Sequence, residues 1–316
     1  MNRTPIKPLY DNVRLNCTIV SDTHIDYLHR TPAWPQALLT AAVIDAEENT
    51  VRTDAFITIG DNTSDGIKQN WDMVKECYAG HNPAERILLC IGNHDTWGDD
   101  DHPYDAINYF KEYTEIICGR KIDNTYFAEV VNGYHLIFLG SEKDGGCAAY
   151  ISDEQIAWFE KEMEKAGKSG KPIFVFCHQA LNGRHGLPRT WGYPADPNWP
   201  ADEGGIGDRS EQVAAIMKKY KNVYYLSGHS HMGLSGESMM EREGFSTFEI
   251  EDGLRMINFP TTACGNAYCD DASQGIGMQL EVYDDRVVFR PRNYYDHEFT
   301  TVVIRDGKPY AEYPLQ

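Results

Sequence analysis

Apolar residues along this chain fall in short unbroken runs rather than in strict alternation with polar ones. The runs at 15–20, 55–59, 87–91, 134–139, 173–177 and 223–226 are of strand length and rich in Val, Ile, Leu, Phe and Tyr. Continuous apolar strands of this kind are buried on both faces, as in parallel sheets covered by helices. Between them, 36–48, 66–78, 104–115, 153–166 and 211–219 space their apolar residues three and four apart, which predicts helices. Ser152, three residues before Gln155, and Ser210, just before Glu211, stand where N-caps of the last two helices would be. Asn132-Gly133 between two β-rich runs predicts a hairpin turn.

From Phe248 onward the pattern changes to strands at 248–251, 254–259, 278–283 and 287–292, with turns at Asp252-Gly253 and Asp284-Asp285. An alternating α/β half followed by a β-rich half predicts an α/β fold of two sheets packed face to face with helices outside. No linker, repeat or low-complexity tract interrupts the chain, so residues 1–316 are read as a single domain with a β-rich C-terminal part, 246–316. The stretch 182–209 is rich in proline and glycine and carries Trp191, Tyr193 and Trp199. Its length and broken pattern predict a substrate lid rather than a plain connection.

Charge narrows the choice of partners. The 316 residues carry 48 acidic against 29 basic side chains, a formal net charge of −19. Binding to a nucleic-acid duplex or an anionic membrane depends on clustered Lys and Arg, so neither is expected. A small phosphorylated substrate remains compatible, because bound metal charge outweighs a distant surface field. No apolar run is long enough to cross a bilayer, and residues 1–10 lack a signal-type apolar region. The expected location is therefore cytoplasmic, an exported form with its signal removed being the alternative. Of eight cysteines, Cys17, Cys90 and Cys177 lie in apolar runs as small buried hydrophobes, and Cys264 and Cys269 read as reduced loop thiols.

The candidate chemistry sits where the apolar runs end. Asp22-Thr23-His24, Gly60-Asp61-Asn62, Gly92-Asn93-His94-Asp95, His178 and Gly228-His229-Ser230-His231 each follow such a run. Ligands of open α/β sheets gather at the carboxyl ends of strands, so these groups can converge although they span more than two hundred residues. Glycines 60, 92 and 228 are expected to let the backbone turn sharply there. Taken singly, Asp22-Thr23-His24 or a lone His178 reads more often as a capped loop or a satisfied core residue, Gly92-Asn93-His94-Asp95 reads equally as an Asn-based turn, and Gly228-His229-Ser230-His231 is the stronger signal. Taken as an ordered set, they supply the imidazole, carboxylate and amide donors of a two-metal hydrolase.

The set resembles the five-motif signature of the calcineurin-like metallophosphoesterases, in their bacterial single-domain form, over residues 15–232. That resemblance implies a four-layer αββα sandwich and a metal-dependent phosphoric ester hydrolase. It further implies that Asp22, His24 and His231 bind one metal, that Asn93, His178 and His229 bind a second, and that Asp61 bridges them. Two divalent ions roughly 3.5 to 4 Å apart share a hydroxide that attacks phosphorus, and they clamp the phosphoryl oxygens. Mn, Fe, Zn, Ni and Co all suit mixed N and O ligands, which leaves the metal's identity open. His94 resembles the family's non-ligating histidine, which helps the leaving oxygen depart, with Asp65 or Asp95 as the carboxylate that would orient it.

Ser64 and Asp65 replace the carboxylate and arginine that follow the bridging aspartate in the protein Ser/Thr phosphatases of the superfamily, which disfavours a phosphoprotein substrate. Ser64 also stands where purple acid phosphatases carry a tyrosine ligand. For substrate contacts, Arg184, His185 and Arg189 are candidates for an anionic group, and Trp97, Trp191 or Tyr193 for stacking on a base or sugar. The same residues read equally as braces of the lid.

The expected activity is hydrolysis of a small phosphomonoester or phosphodiester. A cyclic-nucleotide phosphodiesterase and a nuclease are alternatives, as is a non-enzymatic metal-binding scaffold. The missing basic stripe argues against the nuclease. The full set of ligand types argues against the scaffold.

Overall fold

A computed structural model describes residues 4–28, 34–98, 105–144, 146–184, 204–231, 234, 248–262 and 275–316. The first apolar run forms β1 (Leu15–Val20), followed by α1 (Trp34–Glu47), β2 (Ala55–Ile59), α2 (Lys68–Cys77), β3 (Arg86–Cys90) and α3 (Ala106–Cys118). Next come β4 (Phe127–Val131), β5 (Tyr134–Phe138), α4 (Asp153–Gly167), β6 (Ile173–Phe176), α5 (Ser210–Met217) and β7 (Val223–Ser227). The tail supplies β8 (Phe248–Glu251), β9 (Leu254–Asn258), β10 (Ile276–Val282), β11 (Arg286–Asn293), β12 (Glu298–Phe299) and β13 (Ala311–Pro314).

Two mixed sheets result, flanked by helices. In the first the order is β12-β11-β10-β1-β2-β3, with β13 also paired to β11; in the second it is β4-β5-β6-β7-β9-β8. β1, β2 and β3 run parallel, as do β5, β6, β7 and β9, so within each sheet the carboxyl ends of these strands share one rim. The tail builds no sheet of its own. β10 lies antiparallel against β1 in the first sheet, and β9 extends the second beside β7.

Two buried faces explain why the central strands β5, β6 and β7 of the second sheet are mostly apolar, with successive residues pointing to opposite sides. Leu136, Phe138, Phe174, Phe176, Tyr224 and Leu226 join one core cluster with the first sheet and helices α1 to α3. Their neighbours Ile137, Leu139, Ile173, Val175, Val223 and Tyr225 join the other, against Phe159 and Met163 of α4 and Val213 and Met217 of α5.

The predicted turns form where expected: Asn132 and Gly133, then Asp252 and Gly253, all take positive φ between paired strands. Ser152 caps α4 by accepting the Gln155 N–H at 3.2 Å. Ser210 does not cap α5. It lies inside the helix, and its hydroxyl accepts the Asn182 N–H at 2.9 Å instead, a tertiary tie that local sequence does not reveal. No helix among the described residues is long and apolar enough to cross a membrane.

Candidate metal centre

The loops leaving β1 and β2 stay zipped together past the strands. The N–H groups of Asp22, His24 and Ile25 donate to the carbonyls of Gly60, Asp61 and Asn62 at 2.9 to 3.1 Å. This pairing turns Asp22, His24 and Asp61 toward one point at the strands' carboxyl ends. From the second sheet, His178 follows β6, while His229 and His231 follow β7. The Gly228 N–H donates to the His178 carbonyl at 2.9 Å, which fixes those two loops to each other.

The side chains converge. Asp61 Oδ2 lies 3.0 Å from His178 Nε2 and 3.6 Å from His24 Nε2. Asp22 Oδ1 lies 3.0 Å from His231 Nε2. The Nε2 atoms of His24 and His231 face each other at 3.0 Å, and His229 Nδ1 faces His178 Nε2 at 3.2 Å. Two donor groups suited to a cation result, Asp22, His24, Asp61 and His231 in one and Asp61, His178 and His229 in the other, with donor atoms within 4.8 Å of one another in each. Asp61 belongs to both.

Backbone strain marks the same place. Asp22, His24, Asp61, His229 and His231 have φ between 44° and 70°, a region that side-chain-bearing residues rarely enter and that costs of order 1–3 kcal/mol each. The glycines divide their roles differently from the expectation. Gly60 does have positive φ, at 76°, but neither Gly92 nor Gly228 does. Those two supply space: a Cβ on Gly92 would lie 2.1 Å from Asp61 Oδ1, and one on Gly228 2.0 Å from Ser21 Oγ.

Electrostatics tie the acids to the imidazoles. Burial pushes the Asp22 carboxyl up, but His231 and His178 outweigh it and hold the group down to about 2. Burial likewise opposes ionisation of Asp61, yet His178 and His94 keep it well below the usual carboxylate range. In return, Asp61 and Asp22 overcome the burial of His178 and raise it to about 9. Nδ1 of His178 lies 2.7 Å from the Ile59 carbonyl and donates to it, which leaves Nε2 to face inward.

The residues fit a pair of cations. Asn93 is buried beside this cluster in sequence and space, and its Oδ1 has no hydrogen-bond donor among the described residues. A buried amide oxygen left so is costly unless something else coordinates it.

His94 stands at the edge of the cluster, outside both donor groups, with Nε2 4.0 Å from Asp61 Oδ2 and 27% of its side-chain surface open. Neither candidate carboxylate orients it. Its Nδ1 donates to the backbone carbonyl of Ser64 at 2.7 Å. Asp95 is committed elsewhere: its two oxygens accept the N–H groups of Gly92, Asn62 and Thr63, the Asn62 amide and the Thr63 hydroxyl at 2.7 to 3.2 Å. It thereby pins the Gly-Asp-Asn loop to the Gly-Asn-His-Asp loop. Asp95→Ala is expected to cost about 3 kcal/mol or more, since it leaves several buried donors unpaired. Chemical denaturation checks this, and a change under 1 kcal/mol would remove Asp95 from that role.

Arg184 turns its guanidinium into Glu251 at 2.5 Å and Glu211 at 2.7 Å. Arg184 and Lys218 together hold Glu251 down to about 2. Trp97 packs on His94 with ring centroids 3.8 Å apart. His185, Arg189, Trp191 and Tyr193, with most of the expected lid, lie outside the described residues. Two supports were missed in the sequence. The Asn258 amide, at the end of β9, lies 2.7 to 3.2 Å from Gly228 O and the hydroxyls of Ser227 and Ser230, and Thr261 donates to the Asp22 carbonyl at 3.1 Å. Both follow the rule that exposed the ligands, a polar residue at a strand's carboxyl end, but they lack a metal-binding side chain to draw notice.

A family model described as calcineurin-like phosphoesterase matches residues 15–233. The curated glycerophosphodiester phosphodiesterase GpdQ of Enterobacter lignolyticus is 23% identical over 185 residues, 57% of this chain and 56% of that protein. The matched region thus spans little more than half the relative's length. Among solved structures, a dimetal phosphatase from Danio rerio is similar with a TM-score of 0.55 at 13% identity, covering 93% of this chain and all of that one. That likeness concerns the fold.

Proposed function

The chain belongs to the calcineurin-like phosphoesterase family, and from that premise we propose that it is a dinuclear metal-dependent phosphoesterase acting on a small phosphomonoester or phosphodiester. One observation carries the reading: two donor groups share Asp61, with the unpartnered Asn93 oxygen buried beside them. In this reading Asp22, His24 and His231 hold one divalent ion, Asn93, His178 and His229 hold the other, and Asp61 touches both. Bound cations supply Lewis-acid charge for the phosphoryl oxygens and make a water acidic enough to serve as nucleophile near neutral pH.

The chain's own groups do the rest. The Ser64 carbonyl accepts the Nδ1–H of His94, so the ring would donate from Nε2 only in its doubly protonated form, a charge that burial opposes and Asp61 favours; in that form Nε2–H would give its proton or a hydrogen bond to the departing oxygen. Asp95 and Asn258 keep the ligand loops in register through the bonds described above. The ion pairs of Arg184 with Glu211 and Glu251 support bracing over substrate contact for that residue. Tail strands interleaved with the first half support reading the chain as one domain.

The test is a panel of phosphomonoesters, phosphodiesters and cyclic nucleotides offered to metal-reconstituted protein. The curated relative's name puts glycerophosphodiesters first in it. Turnover in wild type and its loss in an Asp61→Ala variant are expected. Equal inactivity of both across the panel would favour a metal-binding scaffold.

Metal uptake should depend on pH. A cation needs the Nε2 lone pair of His178, and the metal-free site keeps a proton on that ring up to about pH 9. Metal must displace the proton, so apparent affinity rises with pH, by about tenfold per unit for one proton, and levels off near that value. Binding isotherms at pH 6.5, 7.5 and 8.5 check this. A flat profile would mean that metal binding displaces no proton from His178 over this range.

A further inference from the structure

We infer that Trp97 is a positioning residue that fixes the ring plane of His94 and so the direction of its Nε2; this rests on the acid role proposed for His94. The His94 imidazole is held on three sides. Its Nδ1 donates to Ser64 O at 2.7 Å. The edge-to-face contact with His24 has centroids 4.6 Å apart at 87°. The indole of Trp97 covers a third side at 3.8 Å, tilted by 42°. A single hydrogen bond at Nδ1 narrows rotation about the Cβ–Cγ bond but still lets the ring tilt within the bond's angular tolerance. Contacts on two further sides remove the freedom, and aromatic packing adds a geometric preference of its own.

Trp97 is itself anchored. Its carbonyl accepts the Gly66 N–H at 2.8 Å, its N–H donates to His94 O at 3.2 Å, and its indole Nε1 donates to Gly146 O at 3.4 Å. The last bond reaches the loop that leaves β5 at the same rim. Next to it, Gln179, the neighbour of His178, donates through its amide to Cys147 O at 3.3 Å. Consecutive carbonyls of one loop are thus held from both flanks of the metal centre. The Trp97 backbone is thus tied to the loop that carries Ser64, and its indole to the loop that carries Gly146.

A leaving-group comparison separates positioning from general packing. An ester of a poor leaving group, such as an alkyl alcohol, needs a donor at the departing oxygen; a nitrophenyl ester does not. Trp97→Ala and Trp97→Leu are both expected to lower kcat on the alkyl ester by about tenfold or more, with less than threefold loss on the nitrophenyl ester. KM and the metal content per chain should stay unchanged. Trp97→Phe, which keeps an aromatic face, should recover most of the loss. In the Trp97→Ala, His94→Ala double variant the two losses should fail to add. Equal losses on both esters, or loss of metal, would overturn the assignment. A His94→Ala enzyme that treats both esters alike would overturn the acid role itself and this assignment with it, whereas a selective His94→Ala beside an unselective Trp97→Ala overturns the role of Trp97 alone.

Discussion

Asp61→Ala is expected to strip both cations from the site and to lower hydrolysis by more than about 10³-fold. Asp61 is the residue common to both donor groups. Its Oδ2 faces His178 and His24, while its Oδ1 accepts the His94 N–H at 3.0 Å. Alanine therefore removes a charged donor from each group and the acceptor that seats the His94 backbone. The remaining histidines would face one another across 3.0 to 3.2 Å with less negative charge to hold a cation. Elemental analysis of protein loaded with excess manganese or zinc and then desalted measures the effect. Retention of two ions per chain would show that the bridge lies elsewhere.

His94→Ala should behave in the opposite way, keeping both ions while kcat falls by about 10²- to 10⁴-fold, the usual contribution of a positioned acid. The ring lies outside both donor groups and reaches Asp61 Oδ2 at 4.0 Å. Its partial exposure lets it meet a departing oxygen. Metal analysis beside steady-state kinetics decides the matter, because loss of an ion from this variant would move His94 into the coordination sphere. The pair of variants thus separates holding the cations from helping the leaving group.

The strands and their end residues could be read in the chain because burial on both faces leaves a continuous apolar run, and because the polar cluster after each run interrupts it abruptly. Asp22 after Val20, Asp61 after Ile59 and His178 after Cys177 stand out for that reason. Sheet order could not be read in the same way. β10 sits beside β1 partly through Thr18, which donates to Gln279 at 2.9 Å, two polar residues whose pairing across 261 positions leaves no mark in either segment.

The sequence points to a carboxylate as the orienter of His94, whereas the structure has a backbone carbonyl there, and a carbonyl is present at every position. Asp95, next in sequence to His94, points the other way because the short helical turn Asn93 begins carries it into the amides of residues 62, 63 and 92. The sequence suggests turns at Gly92 and Gly228, whereas the close approach of Asp61 and Ser21 is what excludes a Cβ there. Such approach depends on a second loop, so it becomes visible once the strands are placed.

Anomalous scattering from crystals of manganese- or zinc-loaded protein tests the dinuclear site most directly. Two peaks roughly 3.5 to 4 Å apart are expected, on either side of the Asp61 carboxylate, one among Asp22, His24 and His231 and the other among Asn93, His178 and His229. A single peak at full loading, or a pair of peaks away from Asp61, would contradict it.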